Sequence, residues 1–226
     1  MSAFPRISRS SRLAGLLLAA ALLAVDAASA AEPRNSFTYR PPERPPRGER
    51  SHYVEAPPEW LLDDVAAHLR ELGLRVEETN KNERRLIARY SGDPREFVDC
   101  GVVEMLIDGE RSDPPKQYSA NRPETRTYRA ASGKRVGLLR EMKLDARVAV
   151  EVEAQGKGSR VTTNAVYVLT KTVSRVYKGG EPGSVIDREV MSFESTEMGR
   201  FKKGTSCVAT GRLEDLPVVP YRKSAT

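Results

Sequence analysis

Few residues of this 226-residue chain have the types and spacing that catalysis requires. The chain has two histidines, His52 and His68, and histidine is the side chain best suited to moving protons near neutral pH. His68 follows Asp64 by four residues, a spacing that places both side chains on one face of a helix and can orient an imidazole or begin a metal site. Because only Glu71 lies near as a further ligand, a solvated helix surface explains the pair better.

The acidic residues Asp145, Glu151 and Glu153 recur on one face of a predicted strand. Two carboxylates can act as acid and base when burial separates their pKa values. Here Arg147 shares the face, so we interpret it as solvated. The chain also lacks a Gly-x-Ser-x-Gly elbow and a phosphate-binding glycine loop. The sequence therefore predicts no catalytic residue, no metal and no cofactor; a small hydrolase that uses carboxylates or His68 is the alternative.

The chain has two cysteines, Cys100 and Cys207. In an exported protein such a pair most simply forms one disulfide. Closing a loop of about 100 residues stabilises the fold by about 4–5 kcal/mol in the chain-entropy description. A redox pair is the first alternative, but such pairs usually have Cys-x-x-Cys spacing. Metal ligation is the second, and it would need partners that the chain barely has.

The N-terminus has the layout of a secretory signal peptide. A basic start is followed by an apolar run at residues 13–25 and small residues at 28–30. The run is shorter than the roughly 20 residues that span a bilayer, and no cysteine near the cleavage site offers a lipid anchor. We expect cleavage near Ala30 and a periplasmic or secreted protein that is not an integral membrane protein. A leader retained as an anchor is the alternative.

Residues 31–57 are rich in proline and arginine, and prolines block helices and central strands. The composition predicts a flexible, extended linker. Its simpler role is a spacer, and the alternative is a basic arm that contacts an anionic envelope surface or a partner. The mild net charge of +6 gives no reason to expect nucleic-acid binding. The candidate contacts in the arm are Arg34, Arg40, Arg44, Arg47 and Arg50.

The remaining pattern predicts an α+β domain at residues 58–216 and a C-terminal tail at 217–226. Apolar residues at helical spacing predict a helix over 58–72 that ends at Gly73. Strict alternation between 144 and 172, broken by a glycine turn, predicts a long antiparallel hairpin. We expect an antiparallel sheet with one main N-terminal helix packed on one face, stapled by the disulfide. Two small subdomains, 58–109 and 127–216, are the alternative division.

Four segments of the chain form a recognisable combination: residues 88–94 (ARYSGDP), 97–101 (FVDCG), 165–169 (AVYVL) and 207–214 (CVATGRLE). Together they resemble a group of small exported proteobacterial proteins, most of them uncharacterised and many of them lipoproteins. The helix-plus-sheet pattern is similar, more weakly, to domains of the accessory lipoprotein of the outer-membrane β-barrel assembly machine. The resemblance implies an envelope location and brings no catalytic motif. The missing lipidation cysteine is a departure from the lipoprotein members.

Together these observations predict a non-catalytic periplasmic protein that binds an envelope component or assists envelope assembly. The expected partner is an envelope protein or an anionic envelope surface. Besides the hydrolase, a structural subunit of an envelope complex is an alternative, with sheet edges that accept a strand from a partner.

Overall fold

The computed structural model describes residues 36–43, 50–106, 116–129, 135–176 and 182–221. Strands dominate these ranges, and the helices are few. In chain order the elements are β1 (Ser36–Arg40), β2 (Arg50–Val54), α1 (Pro58–Glu71), β3 (Arg75–Asn80), β4 (Arg85–Gly92), β5 (Val98–Asp99), β6 (Val102–Leu106), β7 (Lys116–Ser119), β8 (Glu124–Arg129), β9 (Arg135–Gln155), β10 (Gly158–Val176), β11 (Pro182–Glu194), β12 (Met198–Arg200), β13 (Ser206–Ala209), α2 (Arg212–Asp215) and a 3₁₀ helix (Leu216–Tyr221).

The hairpin of β9 and β10 is the centre of the fold. Its strands pair without a register shift from Gly158↔Gln155 to Val176↔Gly137, and a two-residue turn that starts at Gly156 joins them. Gly156 has φ +61°, a conformation that costs glycine little. The predicted hairpin is therefore confirmed, and it is longer at both ends than the alternation between 144 and 172 indicated.

Each long strand of the hairpin is flanked by two shorter ones, and a seven-stranded antiparallel sheet results. On its free side β10 pairs with β2 near the hairpin turn and with β11 further away. β9 pairs with β4 and β8 in the same manner, and β3 pairs with β4. Two three-stranded sheets, β1-β6-β7 and β12-β13-β5, complete the strand pairing of the described residues.

The core lies on one face of the large sheet, where alternate residues of β9 and β10 are buried. Leu61, Val65 and Leu69 of α1 are fully buried in the same core, as their helical spacing requires. The helix begins at Pro58, and the chain leaves it at Gly73 with φ +82°. The fold is mainly β, which corrects the predicted balance of an α+β domain. Segments without a clear strand pattern become strands by pairing, β2 and β8 with the long hairpin and β1 and β7 with β6.

The predicted linker, residues 31–57, is corrected wherever the structure describes it. β1 pairs with β6, and β2 extends the large sheet through Ser159↔Val54 to Thr163↔Arg50. The Tyr39 hydroxyl of β1 accepts a hydrogen bond from the Ser206 amide at 2.8 Å. The two strands are therefore integral to the fold, because both pair with strands that are distant in sequence and Tyr39 bonds to the last strand.

The C-terminal tail and the subdomain division also differ from expectation. Residues 216–221 form the 3₁₀ helix, whose Val218 is buried in the core, while residues 222–226 lie outside the described residues. The described residues, from 36 to 221, belong to one compact unit rather than two subdomains. The predicted signal peptide, residues 1–30, lies outside the described residues. No helix in the part of the chain that the structure describes is long and apolar enough to cross a membrane.

The disulfide between Cys100 and Cys207 is present, as predicted. Val208 pairs with Asp99 and Ala209 with Val98, so the same register places Cys207 opposite Cys100. Both cysteines are fully buried. The bridge therefore ties the segment that follows α1, β3 and β4 to the last strand of the fold.

Candidate functional site

The outer face of the large sheet, the face opposite the core, carries an uninterrupted row of three arginines. Alternation along β9 buries Ala146 and Val148 and exposes Arg147 between them. Arg75 of β3 pairs with Arg89 of β4, and Arg89 pairs with Arg147. Neighbouring strands lie about 4.8 Å apart, so the three side chains emerge side by side. We call Arg75, Arg89 and Arg147 the arginine row.

One carboxylate, Glu77, contacts the arginine row. Its Oε1 accepts a hydrogen bond from Arg75 at 2.6 Å and lies 3.1 Å from the Arg89 Nε. The hydrogen bond from Arg75 is the main reason that the pKa of Glu77 is lowered, and the positive charges of Arg89 and Arg147 add to it. Arg147 itself forms no ion pair within the described ranges. The row therefore has more positive charge than its own carboxylate offsets.

Two concavities flank the Arg147 side chain on the outer face. The first, about 310 Å³, is lined by Arg89, Asp145 and Ala146 and by the valines of β10 next to them, Val166 and Val168. The second is about 260 Å³ and its lining is more polar: Ala149, Asn164, Ala165, Val166, Glu194, Ser195 and Thr196. Val166 pairs with Arg147, is 41% exposed and lines both concavities. Guanidinium groups beside exposed valines offer both charge and apolar contact to a ligand.

A second polar group lies between the sheet and α2. The Tyr167 hydroxyl donates a 2.7 Å hydrogen bond to Glu214 Oε1, and both residues are almost completely buried. Beside them, Arg50 Nη1 donates to both carboxylate oxygens of Asp215 at 2.8 and 3.1 Å. His52 Nε2 is 3.3 Å from the same carboxylate. We call these five residues the polar cluster.

The polar cluster is organised as part of the core. Burial, together with the Glu214 carboxylate, raises the pKa of the Tyr167 hydroxyl far above its ordinary value, so this group stays protonated. Glu214 Oε2 has no hydrogen-bond partner among the described residues. Tyr167 and Glu214 are buried, whereas Arg50, His52 and Asp215 are partly exposed. The contacts of the cluster fasten α2 and β2 to the sheet.

The arginines predicted to contact an anionic surface have other places in the structure. Arg40 is ion-paired with Glu104, and Arg50 belongs to the polar cluster. Arg34, Arg44 and Arg47 lie outside the described residues. The two described arginines of the predicted arm are thus held by carboxylates.

The structure does not bring the suspected metal and catalytic residues together. His68 is half-buried, and its Nε2 has no hydrogen-bond partner among the described residues. The Asp64 carboxylate instead lies 3.5 Å from the Tyr221 hydroxyl. No group of three metal-ligating side chains occurs in the described ranges. Glu151 and Glu153 are exposed on the outer face of the sheet, which agrees with the expected solvated strand face.

Sequence reasoning missed both the arginine row and the polar cluster. The outward position of Arg147 follows from the alternation along β9, but its alignment with Arg89 and Arg75 depends on the register of three strands. The polar cluster depends on β2, which was predicted to be linker. No family model, curated protein or solved structure matches the chain.

Proposed function

We propose that this chain is an exported, non-catalytic binding protein of the cell envelope and that its outer face is the binding surface. The observation that carries the proposal is Arg147, which lacks an ion pair among the described residues and stands beside Arg89, between two concavities. Like charges directly opposite one another on a sheet are destabilising. A negatively charged ligand that offsets the repulsion between these arginines best explains why the surface keeps them side by side.

The rest of the fold supports a binding role over catalysis. The Tyr167–Glu214 pair of the polar cluster is buried, while the outer face is open and combines charge with the exposed Val166. The buried disulfide is compatible with an oxidising compartment, where such bridges form and persist. An envelope component is the natural class of ligand for a protein exported in this way.

Photo-crosslinking tests the proposal. A photoreactive amino acid at Val166, on the outer face, is compared with the same group at Trp60, which is 71% exposed on α1. In cells that naturally produce the protein, we expect a discrete adduct from position 166 and none from position 60. The same adducts from both positions, or none from 166, would refute the outer face as the binding surface.

Strand addition is a second candidate, because β11 is a long edge. It has 13 residues and pairs with β10 on one side, and no strand in the described ranges pairs with its other side. Val185 and Val190 are 58% and 59% exposed along it. Such an edge can accept a strand from another chain. Light scattering tests self-association: concentration-dependent dimers that Val190→Pro abolishes would support it, and a monomer at every concentration would exclude it.

A further inference from the structure

The proposed function leaves open what the outer face binds, and the inference below rests on that proposal. We propose that the arginine row holds the oxyanion of a single amphiphilic molecule, a carboxylate or phosphate ester with an apolar chain. Arg147 and Arg89 bind the oxyanion, and the apolar chain lies over Val166 and Val168. The occupant is one molecule rather than a membrane surface.

The charge of the row indicates an oxyanion. Arg75, Arg89 and Arg147 occupy adjacent register positions, and Glu77 already receives hydrogen bonds or close contacts from the first two. The guanidinium of Arg147 has no ion-pair partner in the described part of the chain. A planar guanidinium fork matches the geometry of carboxylate and phosphate oxygens and binds them through two parallel hydrogen bonds.

The lining of the larger concavity indicates an apolar chain. Val166 and Val168 of β10 line this space of about 310 Å³ together with Ala146, Arg89, Arg147 and Asp145. Small-molecule sites typically have volumes of about 300–1,000 Å³, with apolar walls and a few placed polar groups. A molecule with its charged end at the arginines would bury its apolar end against the valines of β10.

The surrounding charges argue for one molecule and against an anionic bilayer. Asp145, Glu151, Glu153 and Glu194 share the outer face with the arginine row. An extended anionic surface would bring negative charge close to all four carboxylates at once. A single oxyanion at the guanidinium groups of Arg89 and Arg147 faces Asp145, which lines the same concavity, but none of the three glutamates lines that space. The net attraction is therefore local to the row.

Titration with octyl phosphate and octanoate, followed by NMR, tests the inference. We expect saturable binding of both, with shifts confined to residues near Arg147, Val166 and Val168. Arg147→Gln removes a charge-assisted hydrogen bond and should weaken binding at least about tenfold. Arg160→Gln is the matched control, because Arg160 is also exposed, on β10 near the hairpin turn, and lines neither concavity. Its binding should stay within about twofold of the unaltered protein.

Further ligands separate the possible sources of the anion. Inorganic phosphate should bind at least about tenfold more weakly than octyl phosphate, because it lacks the apolar contact. Equal binding of the two would overturn the apolar part of the inference. Vesicles of phosphatidylglycerol and phosphatidylethanolamine that bind as tightly as octyl phosphate, with the same dependence on Arg147, would overturn the single-molecule occupant.

Failure of this inference can be told from failure of the proposed function. No saturable binding of either amphiphile, or equal binding by Arg147→Gln, overturns the inference whatever the crosslinking shows. An adduct between position 166 and a protein would then leave the outer face as a binding surface for a macromolecule. Arg147→Lys, which keeps the charge and loses the fork, covers the case in which the glutamine variant fails to fold; it should also bind more weakly than the unaltered protein.

Discussion

Replacing Tyr167 with phenylalanine isolates one buried hydrogen bond of the polar cluster. The phenyl ring keeps the stacked contact with Phe193, whose centroid lies 5.2 Å from that of Tyr167. The hydroxyl that donates to Glu214 Oε1 is lost, while Glu214 is 1% exposed and its Oε2 has no hydrogen-bond partner among the described residues. The variant thus leaves a buried acid without its donor.

The expected loss of stability follows from the cost of that unpaired group. A hydrogen bond to a charged group contributes about 1.5–3 kcal/mol, and leaving the acceptor buried forfeits most of it. We expect Tyr167→Phe to lower the free energy of unfolding by about 2–3 kcal/mol. For a chain of this size the melting temperature should fall by about 4–12 °C.

Urea unfolding followed by far-UV circular dichroism measures the loss. Fluorescence suits it poorly, because the single tryptophan, Trp60, is largely exposed in the native state. The midpoint should fall while the slope with urea concentration stays unchanged. Tyr53→Phe, at an exposed tyrosine, is the control and should lie within about 0.5 kcal/mol of the unaltered protein.

The double variant Tyr167→Phe/Glu214→Leu completes the test. Because the apolar replacement removes the carboxylate that Tyr167→Phe strands, the double variant should be at least about 1 kcal/mol more stable than the sum of the single losses implies. A loss of less than about 0.5 kcal/mol in Tyr167→Phe, or strict additivity, would refute the description of Glu214 as dependent on this one donor.

Four further predictions follow from the core. Cys207→Ala should lower the free energy of unfolding by about 4–5 kcal/mol in urea titrations, and an unchanged midpoint would contradict it. Folding raises the pKa of Tyr167, so the contribution of its hydroxyl to stability is intact below about pH 10. Above that pH the tyrosine ionises first in the unfolded state, and the free energy of unfolding falls by up to about 1.4 kcal/mol per pH unit. Tyr167→Phe should flatten this alkaline decline. Lys171→Met strands the buried carboxylate of Glu189 and should cost about 3–5 kcal/mol by thermal unfolding, whereas replacing both with apolar residues should cost far less. Gly101→Ala should destabilise the protein measurably, because its φ is +75° and the added methyl overlaps the backbone of Arg40 and Pro41. Gly73→Ala, with open space around it, is the milder comparison.

The central hairpin could be predicted because its signal is local. Ala146, Val148 and Val150 alternate with polar residues on one strand, and the glycine turn at 156 sets the register for the other. The apolar spacing of α1 is equally local. Cysteine content and the expected compartment were enough to predict the disulfide, because two cysteines allow one pairing.

β1 and β2 could not be predicted because their partners are distant in sequence. Each has five residues and lies among prolines and arginines, so composition favours a linker. The strand conformation of β2 depends on pairing with residues 159–163, more than 100 positions away. The arginine row is hidden for a related reason: a shift of one residue in β4 would move Arg89 to the other face. The candidate site thus needed the strand registers, which single-sequence patterns do not specify.

Mass spectrometry of the native protein, purified from the cells that make it without reducing agent, tests the central claim most directly. If the chain is an exported protein stapled by one disulfide, its N-terminus begins near Ala31 and its mass lacks the hydrogens of both thiols. An intact leader together with free thiols at Cys100 and Cys207 would contradict the account, because the envelope location and the stability assigned to the bridge would both be lost.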